Sequence, residues 1–273
     1  MVDGVGGRLA GMEITAHRGL SGLEPESTRA AYLAAIDVAE RTGHSIELEC
    51  DTHFSSDGVL IIHHDHDLRR TTGRPDRVHD LTLTQLRDVD WGSWKVSDPT
   101  EDQRALVTLV ELLEWVHAAR DRGVPVGLAV ETKHPNPEGL AVDQAVLELI
   151  REHGWDGADS PIRMISFHLP AVAFAAEHLP QLRRTLLLMH GFGQWTEGDL
   201  PYGTDTIGID RTLLLKDPDY ARRLHEHGNH LHVWTANLPA EINWCVSLGA
   251  TGITSDRVDV VADVLAGGLY QAS

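Results

Sequence analysis

Histidines, carboxylates and two cations gather at a few points of this chain, each at or just past a run of β-forming residues. His17-Arg18-Gly19 follows Glu13-Ile14-Thr15-Ala16. A second run reads Glu47-Leu48-Glu49-Cys50-Asp51-Thr52-His53. Side chains alternate across a strand, so Glu47, Glu49, Asp51 and His53 share one face. Three carboxylates on one face are costly when buried and uncompensated. A hard divalent cation with oxygen ligands offsets that cost directly. Next comes His63-His64-Asp65-His66-Asp67, after Val59-Leu60-Ile61-Ile62. Three histidines in four residues suggest zinc, but neighbours on a strand point to opposite faces. One histidine then serves a pocket and the others belong to the loop. Glu131 and Lys133 share a face after Val126 to Val130. Trp234 ends another apolar run, before Thr235, Ala236 and Asn237, and suits a core or a pocket wall equally. The last cluster is Thr254-Ser255-Asp256-Arg257.

Two histidines across one reacting centre can act as general base and general acid near neutral pH. A carboxylate-held Mg2+ or Ca2+, with Mn2+ a third choice, would neutralise a phosphodiester oxygen in the transition state. Arg18 and Lys133 would hold the remaining oxygens. The chain has no Gly-x-Ser-x-Gly elbow, so this set suits phosphodiester cleavage better than acyl transfer. With 23 Lys and Arg against 41 Asp and Glu, the net charge is −18. Such a field repels nucleic acid and anionic lipid. A small phosphodiester remains a suitable partner if the site supplies its own positive charge. No stable membrane association is expected, since no run approaches the ~18 apolar residues of a span. The first eleven residues lack the apolar stretch of a signal peptide. Cys50 and Cys245 are too few for a disulfide framework and read as buried free thiols, which suits the cytoplasm.

The elements that must position these groups alternate along the chain. Strand patterns fall near 13–17, 45–52, 58–63, 125–131, 162–167, 183–189, 205–210, 230–235 and 250–254. Helical patterns fall near 27–42, 109–122, 138–153, 169–178, 217–228, 239–247 and 258–266. Leu33, Ile36, Val38 and Ala39, and likewise Ala141, Ala145, Leu149 and Ile150, follow a buried helix stripe. Gly43, Gly123, Gly154, Gly228 and Gly249 each stand where a left-handed helix cap is wanted. Repeated helix–Gly–strand order signals βα units, and about eight of them favour a closed (β/α)8 TIM barrel over an open sheet. Catalytic groups of that fold sit at strand C-termini, where these clusters fall. Residues 65–108 break the rhythm with polar runs and no clean strand. They are expected to be a small insertion after the second strand, within one domain of residues 1–273 whose core spans about 13–267.

His17-Arg18-Gly19, Pro25-Glu26-Ser27-Thr28, Glu49-Cys50-Asp51, Asp57-Gly58, His64-Asp65, Leu68 with Arg70-Thr71-Thr72, Glu131-Thr132-Lys133 and Trp234-Thr235-Ala236-Asn237 occur in this order. The series, from residue 14 to about 260, resembles the glycerophosphodiester phosphodiesterase family, whose fold is a metal-dependent TIM barrel with an insertion after the second strand. The resemblance implies His17 and His64 as the acid–base pair, and Glu49, Asp51 and Glu131 as ligands of one divalent cation. It further implies Arg18 and Lys133 at the phosphate and Trp234 near the glycerol or leaving group. The reaction implied is hydrolysis of a glycerophosphodiester to glycerol 3-phosphate and an alcohol. Three motifs depart from the usual pattern: Ser27 stands for Asn, Ser55-Ser56-Asp57-Gly58 for Thr-Lys-Asp-Gly, and Ser255-Asp256-Arg257-Val258 for Thr-Asp-Arg-Pro.

Three other readings compete. Asp256 after the last strand suggests an amidohydrolase-like barrel, but strand one lacks the His-x-His that class needs. A barrel that binds phosphodiesters without cleaving them would have lost a histidine or carboxylate. A lysophospholipase D-type enzyme needs an apolar channel, which Trp91, Trp94 and Phe192 would line unless they are packing residues.

Overall fold

Parallel strands close on themselves in the computed structural model, which describes residues 11–267. The strands are β1 (Glu13–Ala16), β2 (Ile46–Phe54), β3 (Leu60–Ile62), β4 (Val126–Thr132), β5 (Ile162–Ser166), β6 (Arg183–Leu188), β7 (Thr206–Asp210), β8 (His230–Trp234) and β9 (Gly252–Ser255). The order around the ring is β1-β9-β8-β7-β6-β5-β4-β2, and β2 pairs back to β1 with Ile46 opposite Ile14. This is the closed (β/α)8 barrel. β3 stands outside it, antiparallel to the overhang of β2, with Ile62 opposite Thr52 and Leu60 opposite Phe54. The excursion from the barrel therefore begins at the end of β2, ahead of the sequence boundary at 65.

Helices cover the ring. The helix Arg29–Thr42 starts at Thr28, whose hydroxyl caps the Ala31 N–H, and stops at Gly43 with φ 70°. The other four glycines singled out in the sequence also take positive φ. The helix stripes largely follow the sequence reading: Ile36, Val38, Ala39 and Ile150 are buried, and Ala145 and Leu149 pack against the core. Leu33 is exposed and Ala31, Tyr32 and Ala35 are buried. In Ala141–Glu152 the buried face is Val142, Val146, Leu147 and Ile150, while Ala141 is exposed. A stripe wide enough for the sheet spans more than one i, i+4 row, and of the residues read from sequence only Leu33 and Ala141 fall outside it. The expected helix 217–228 is observed as Tyr220–Glu226, and a further short helix, Arg211–Lys216, precedes it.

Alternation in β2 sends Ile46, Leu48 and Cys50 into the apolar core that the helices share. Glu47 and Glu49 point the other way, into the barrel. Barrel interiors are usually filled by branched apolar side chains. Here the filling is polar: Thr15 Oγ1 donates to Glu47 Oε2 at 3.0 Å, and Arg163 binds Glu47 and, at 3.1 Å, Glu13. His232 Nε2 lies 2.8 Å from Thr254 Oγ1. Gly252 makes room for that ring, since a Cβ there would collide with it. Removing one member of a buried pair like Arg163–Glu47 typically costs about 3–5 kcal/mol. This polar plug underlies the cavity at the C-terminal mouth. Cys50 and Cys245 are buried free thiols.

The insertion has its own apolar cluster, including Ile61, Leu68, Val78, Leu86, Trp91 and Leu106. Alternation in β3 fastens it to the barrel: Ile61 enters this cluster, while Leu60 and Ile62 enter the main core. Each such burial contributes roughly 1.5–3 kcal/mol. Trp91 therefore packs inside the insertion, and Phe192 stacks on Tyr220 at 4.1 Å between centroids. Neither borders the cavity described next.

Candidate active site

β1 ends in a sharp turn that aims three groups at one point. Arg18 takes φ 56°, in the left-handed region, and its N–H donates to Glu49 Oε2 at 2.9 Å. Ser27, φ 59°, closes the same loop by donating its N–H to the Arg18 carbonyl at 3.0 Å. Ser adopts this conformation less readily than Asn does, so Ser27 is held there by the loop's own bonds. His17 Nδ1 lies 2.6 Å from Asp256 Oδ1. Asn237 Nδ2 and Ser21 Oγ donate to the same carboxylate, at 2.7 and 3.1 Å. Nε2 of His17 is thereby turned to the cavity. Burial, reinforced by Arg18, pushes the His17 pKa below the usual imidazole value, against the pull of Asp256.

The insertion delivers the second histidine. His64 Nδ1 lies 2.6 Å from Asp65 Oδ1, and Asp65 Oδ2 accepts from Arg70 Nε at 2.6 Å. His64 lines the cavity with His17, Arg18, Glu49, Glu131 and Trp234. His63 turns the other way: it is buried against Trp91 and its Nε2 lies 3.1 Å from the Asp67 carbonyl. His66 borders an adjoining open groove. His53 is buried with its Nε2 3.4 Å from the His64 carbonyl.

Glu49, Asp51 and Glu131 come from adjacent strands, with Glu131 opposite Asp51 in register. All three are buried, and one oxygen of each lies within 4.8 Å of the others. Lys133 Nζ bridges Asp51 Oδ1 at 3.0 Å and Glu131 Oε1 at 2.8 Å. Arg18 Nε lies 3.1 Å from Asp51 Oδ2, which has no aligned hydrogen-bond donor despite its burial. Burial and the Asp51 charge push Glu49 well above the ordinary carboxylate range. Burial pushes Glu131 up to about 7, although Lys133 opposes it. Asp51 goes down: burial would raise it, but Lys133 and Arg18 outweigh that. Two cations thus leave the cluster short of positive charge. Three hard oxygen donors in this state fit a divalent cation.

The cavity, of about 250 Å³, has one apolar side formed by Ala129, Ile165, Phe167, Leu187, Met189 and Trp234. Phe167 meets the Trp234 ring edge-on at 5.6 Å, so Trp234 is a cavity wall. The structure brings His17, His64, Glu49, Asp51, Glu131, Arg18, Lys133 and Trp234 together at one mouth. Lys133 stands on the carboxylates and lines the adjoining groove. Sequence reasoning gave no role to Asp65, Glu26, Arg70, Asn237 or Ser21, and took Asp256 as a mark of another enzyme class. Alternation did contain one signal: Thr254 and Asp256 share a face of β9's extension. Phe167 and Met189 lie just past β5 and β6, where strand-end position alone flags a pocket wall.

Residues 17–260 match the model of the glycerophosphoryl diester phosphodiesterase family. The chain is 30% identical over 244 residues to "Probable glycerophosphodiester phosphodiesterase 1" of Mycobacterium tuberculosis, covering 88% of this chain and 87% of that one. It is 27% identical to "Glycerophosphodiester phosphodiesterase" of Bacillus subtilis, covering 92% and 86%. An Oleispira antarctica phosphodiesterase, solved in complex with the product sn-glycerol-3-phosphate, superimposes with a TM-score of 0.77 at 26% identity, covering 93% of this chain and 96% of that one. The chain belongs to the glycerophosphoryl diester phosphodiesterase family and is an enzyme that hydrolyses glycerophosphodiesters.

Proposed function

We propose that the chain releases glycerol 3-phosphate and an alcohol from small glycerophosphodiesters, with His17 and His64 as the acid–base pair. The observation that carries this reading is the meeting of two carboxylate-oriented histidines with three buried carboxylates on one cavity. His17 suits the base: burial beside Arg18 keeps it neutral, and Asp256 fixes the tautomer with Nε2 free to accept. It takes the proton of the attacking oxygen, which is water's in a direct hydrolysis; where the glycerol 2-hydroxyl attacks first, water then opens the cyclic phosphate to glycerol 3-phosphate. As the bond from phosphorus to the alcohol oxygen breaks, His64 gives that oxygen a proton. Asp65 holds the His64 ring for this transfer.

Glu49, Asp51 and Glu131 would hold one divalent cation, Mg2+ or Ca2+, and such an ion supplies charge neutralisation at a phosphoryl oxygen. Arg18 and Lys133 supply fixed positive charge beside it, which a chain of net charge −18 needs to admit an anion. The glycerol or leaving group lies along Trp234 and Phe167. Barrel and insertion form one functional unit, because each contributes a histidine. The two buried free thiols support a cytoplasmic setting. Among the described residues no helix is long and apolar enough to cross a membrane.

A second reading is lysophospholipase D-type cleavage at the same site. It is supported by the apolar wall and by Phe167 and Met189, which are about 40% exposed at the cavity mouth. One experiment tests both. After chelation, turnover is measured on glycerophosphodiesters and lysophospholipids with Mg2+, Ca2+ and Mn2+ in turn. Metal-restored release of glycerol 3-phosphate from the short substrates is expected. Turnover confined to acylated substrates would reverse the order, and full activity without any cation would end the metal assignment.

A further inference from the structure

Two ionised residues beside the cavity have no part in the chemistry above: Glu26, on the loop after β1, and Arg70, in the insertion. They meet across the join between barrel and insertion. Arg70 Nη1 and Nη2 donate to Glu26 Oε2 and Oε1 at 2.8 and 2.6 Å. Its third nitrogen, Nε, donates to Asp65 Oδ2 at 2.6 Å. Glu26, with its side chain only 10% exposed, also accepts from Arg18 Nη1 at 3.0 Å. A continuous line of charge-assisted contacts results: His64, Asp65, Arg70, Glu26, Arg18, Asp51. It runs from the insertion's histidine to the carboxylate cluster of the barrel.

The segment carrying His64 needs such a line. Past β3 the His63 N–H still donates to the Asp51 carbonyl at 3.0 Å, and Asp67 bridges to Arg77, but between these two points no ladder runs along His64 and Asp65. Leu68 is buried in the insertion's own cluster, and Asp67 caps the Arg69 N–H at 3.0 Å. These contacts tie the far end of the segment to the insertion, and the His63 N–H and the His53 ring tie its near end to β2. Arg70 adds a side-chain tie from Asp65 to the loop after β1. Arginine suits the place because its planar fork grips one carboxylate with two nitrogens and leaves the third for another. Lysine offers one point charge.

We infer that Arg70, acting through Glu26, is a positioning residue that sets His64 against His17 and the carboxylates. The inference rests on the reading of His64 as a catalytic acid or base. A catalytic group displaced by about 1 Å loses on the order of 10² in rate.

The test uses the full chain with saturating Mg2+ and a short glycerophosphodiester. The variants are Arg70→Met, Arg70→Lys, His64→Ala and the double variant Arg70→Met/His64→Ala. Melting temperatures are recorded for all four. Arg70→Met is expected to lower kcat roughly 10²-fold with KM little changed. Arg70→Lys, which keeps the charge and guards against a folding defect, should recover only a small part. In the His64→Ala background, Arg70→Met should cost nothing further, because the group it positions is gone. The inference is overturned if Arg70→Met keeps its kcat while His64→Ala loses it. It is equally overturned if Arg70→Met costs as much without His64 as with it, since Arg70 would then act through general stability. If His64→Ala itself keeps full kcat, the reading of His64 fails and takes the inference with it.

Discussion

The two histidines at the cavity each lean on a carboxylate at 2.6 Å, Asp256 for His17 and Asp65 for His64, but the supports behind those carboxylates differ. Behind Asp256 stand an amide and a hydroxyl, Asn237 just past β8 and Ser21 on the loop after β1. Behind Asp65 stands a guanidinium, Arg70, which Glu26 holds in turn. The difference follows the backbone. In the barrel, paired strands fix each strand end, so neutral hydrogen bonds need only orient a side chain that is already placed. In the insertion the backbone pairing with β2 stops at His63, one residue short of His64, and ionic contacts across the join add what the ladder supplies elsewhere. One chemical task is thus met by neutral bonds on a rigid frame and by charge on an irregular one.

The strongest challenge to this comparison is to remove what both halves share. Asp51 touches Arg18 and Lys133 and stands opposite Glu131. Asp51→Asn or Glu49→Gln should take chelator-sensitive turnover to the assay limit while the melting transition persists. A Glu49→Gln enzyme with full activity in chelated buffer would remove the cation from the account. Next in size, His17→Ala and His64→Ala should each lower kcat by about 10²–10⁴. His63→Ala, turned toward Trp91, should stay near wild type in the same assay. Equal damage from His63→Ala would mean that the turn after β3 presents the wrong histidine.

A smaller effect separates the two supports. Asp256→Asn and Asp65→Asn should each cost on the order of 10² in kcat, by loosening a ring rather than deleting it. If only one of them is slow, the other carboxylate is a bystander. The smallest effect is on stability. Burial pushes the Asp256 carboxyl up, but the bonds from His17, Asn237 and Ser21 hold it down at about 2, from an ordinary 3.8. A depressed acid contributes stability that is fully present above its unfolded value and fades as pH falls through the folded one. Wild type should therefore lose on the order of 1–2 kcal/mol between about pH 4 and pH 2 through this group. Thermal melts of Asp256→Asn across that window should show a shallower slope, and an unchanged slope would deny the carboxylate its bonds.

Much of the barrel half was legible in the sequence because it is periodic. Alternation alone put Glu47, Glu49 and Asp51 on one face of β2, and the clusters at strand ends marked the mouth. It did not separate Glu47, which Arg163 and Thr15 hold inside the barrel, from its two neighbours at the cation site. That separation depends on depth along the barrel axis, which period two does not encode. The insertion was less legible, since short helices carry little periodicity. Its capping boxes, Thr82 with Gln85 and Thr100 with Gln103, were the available local signals.

By itself the sequence determined the residue types at each strand end, the alternating order of strands and helices, and the ordered motifs that mark the family. Those properties are local, set by side-chain chemistry, period and near-neighbour spacing. Only the tertiary structure decided which groups act together. Asp256 reaches His17 across 239 positions of chain, and Arg70 reaches Glu26 across 44. Closing a ring of strands brings the last strand beside the first, and docking the insertion brings its arginine to the loop after β1. Contacts of that kind are fixed by the global path of the backbone, so no local pattern of residues reveals which carboxylate will hold which histidine.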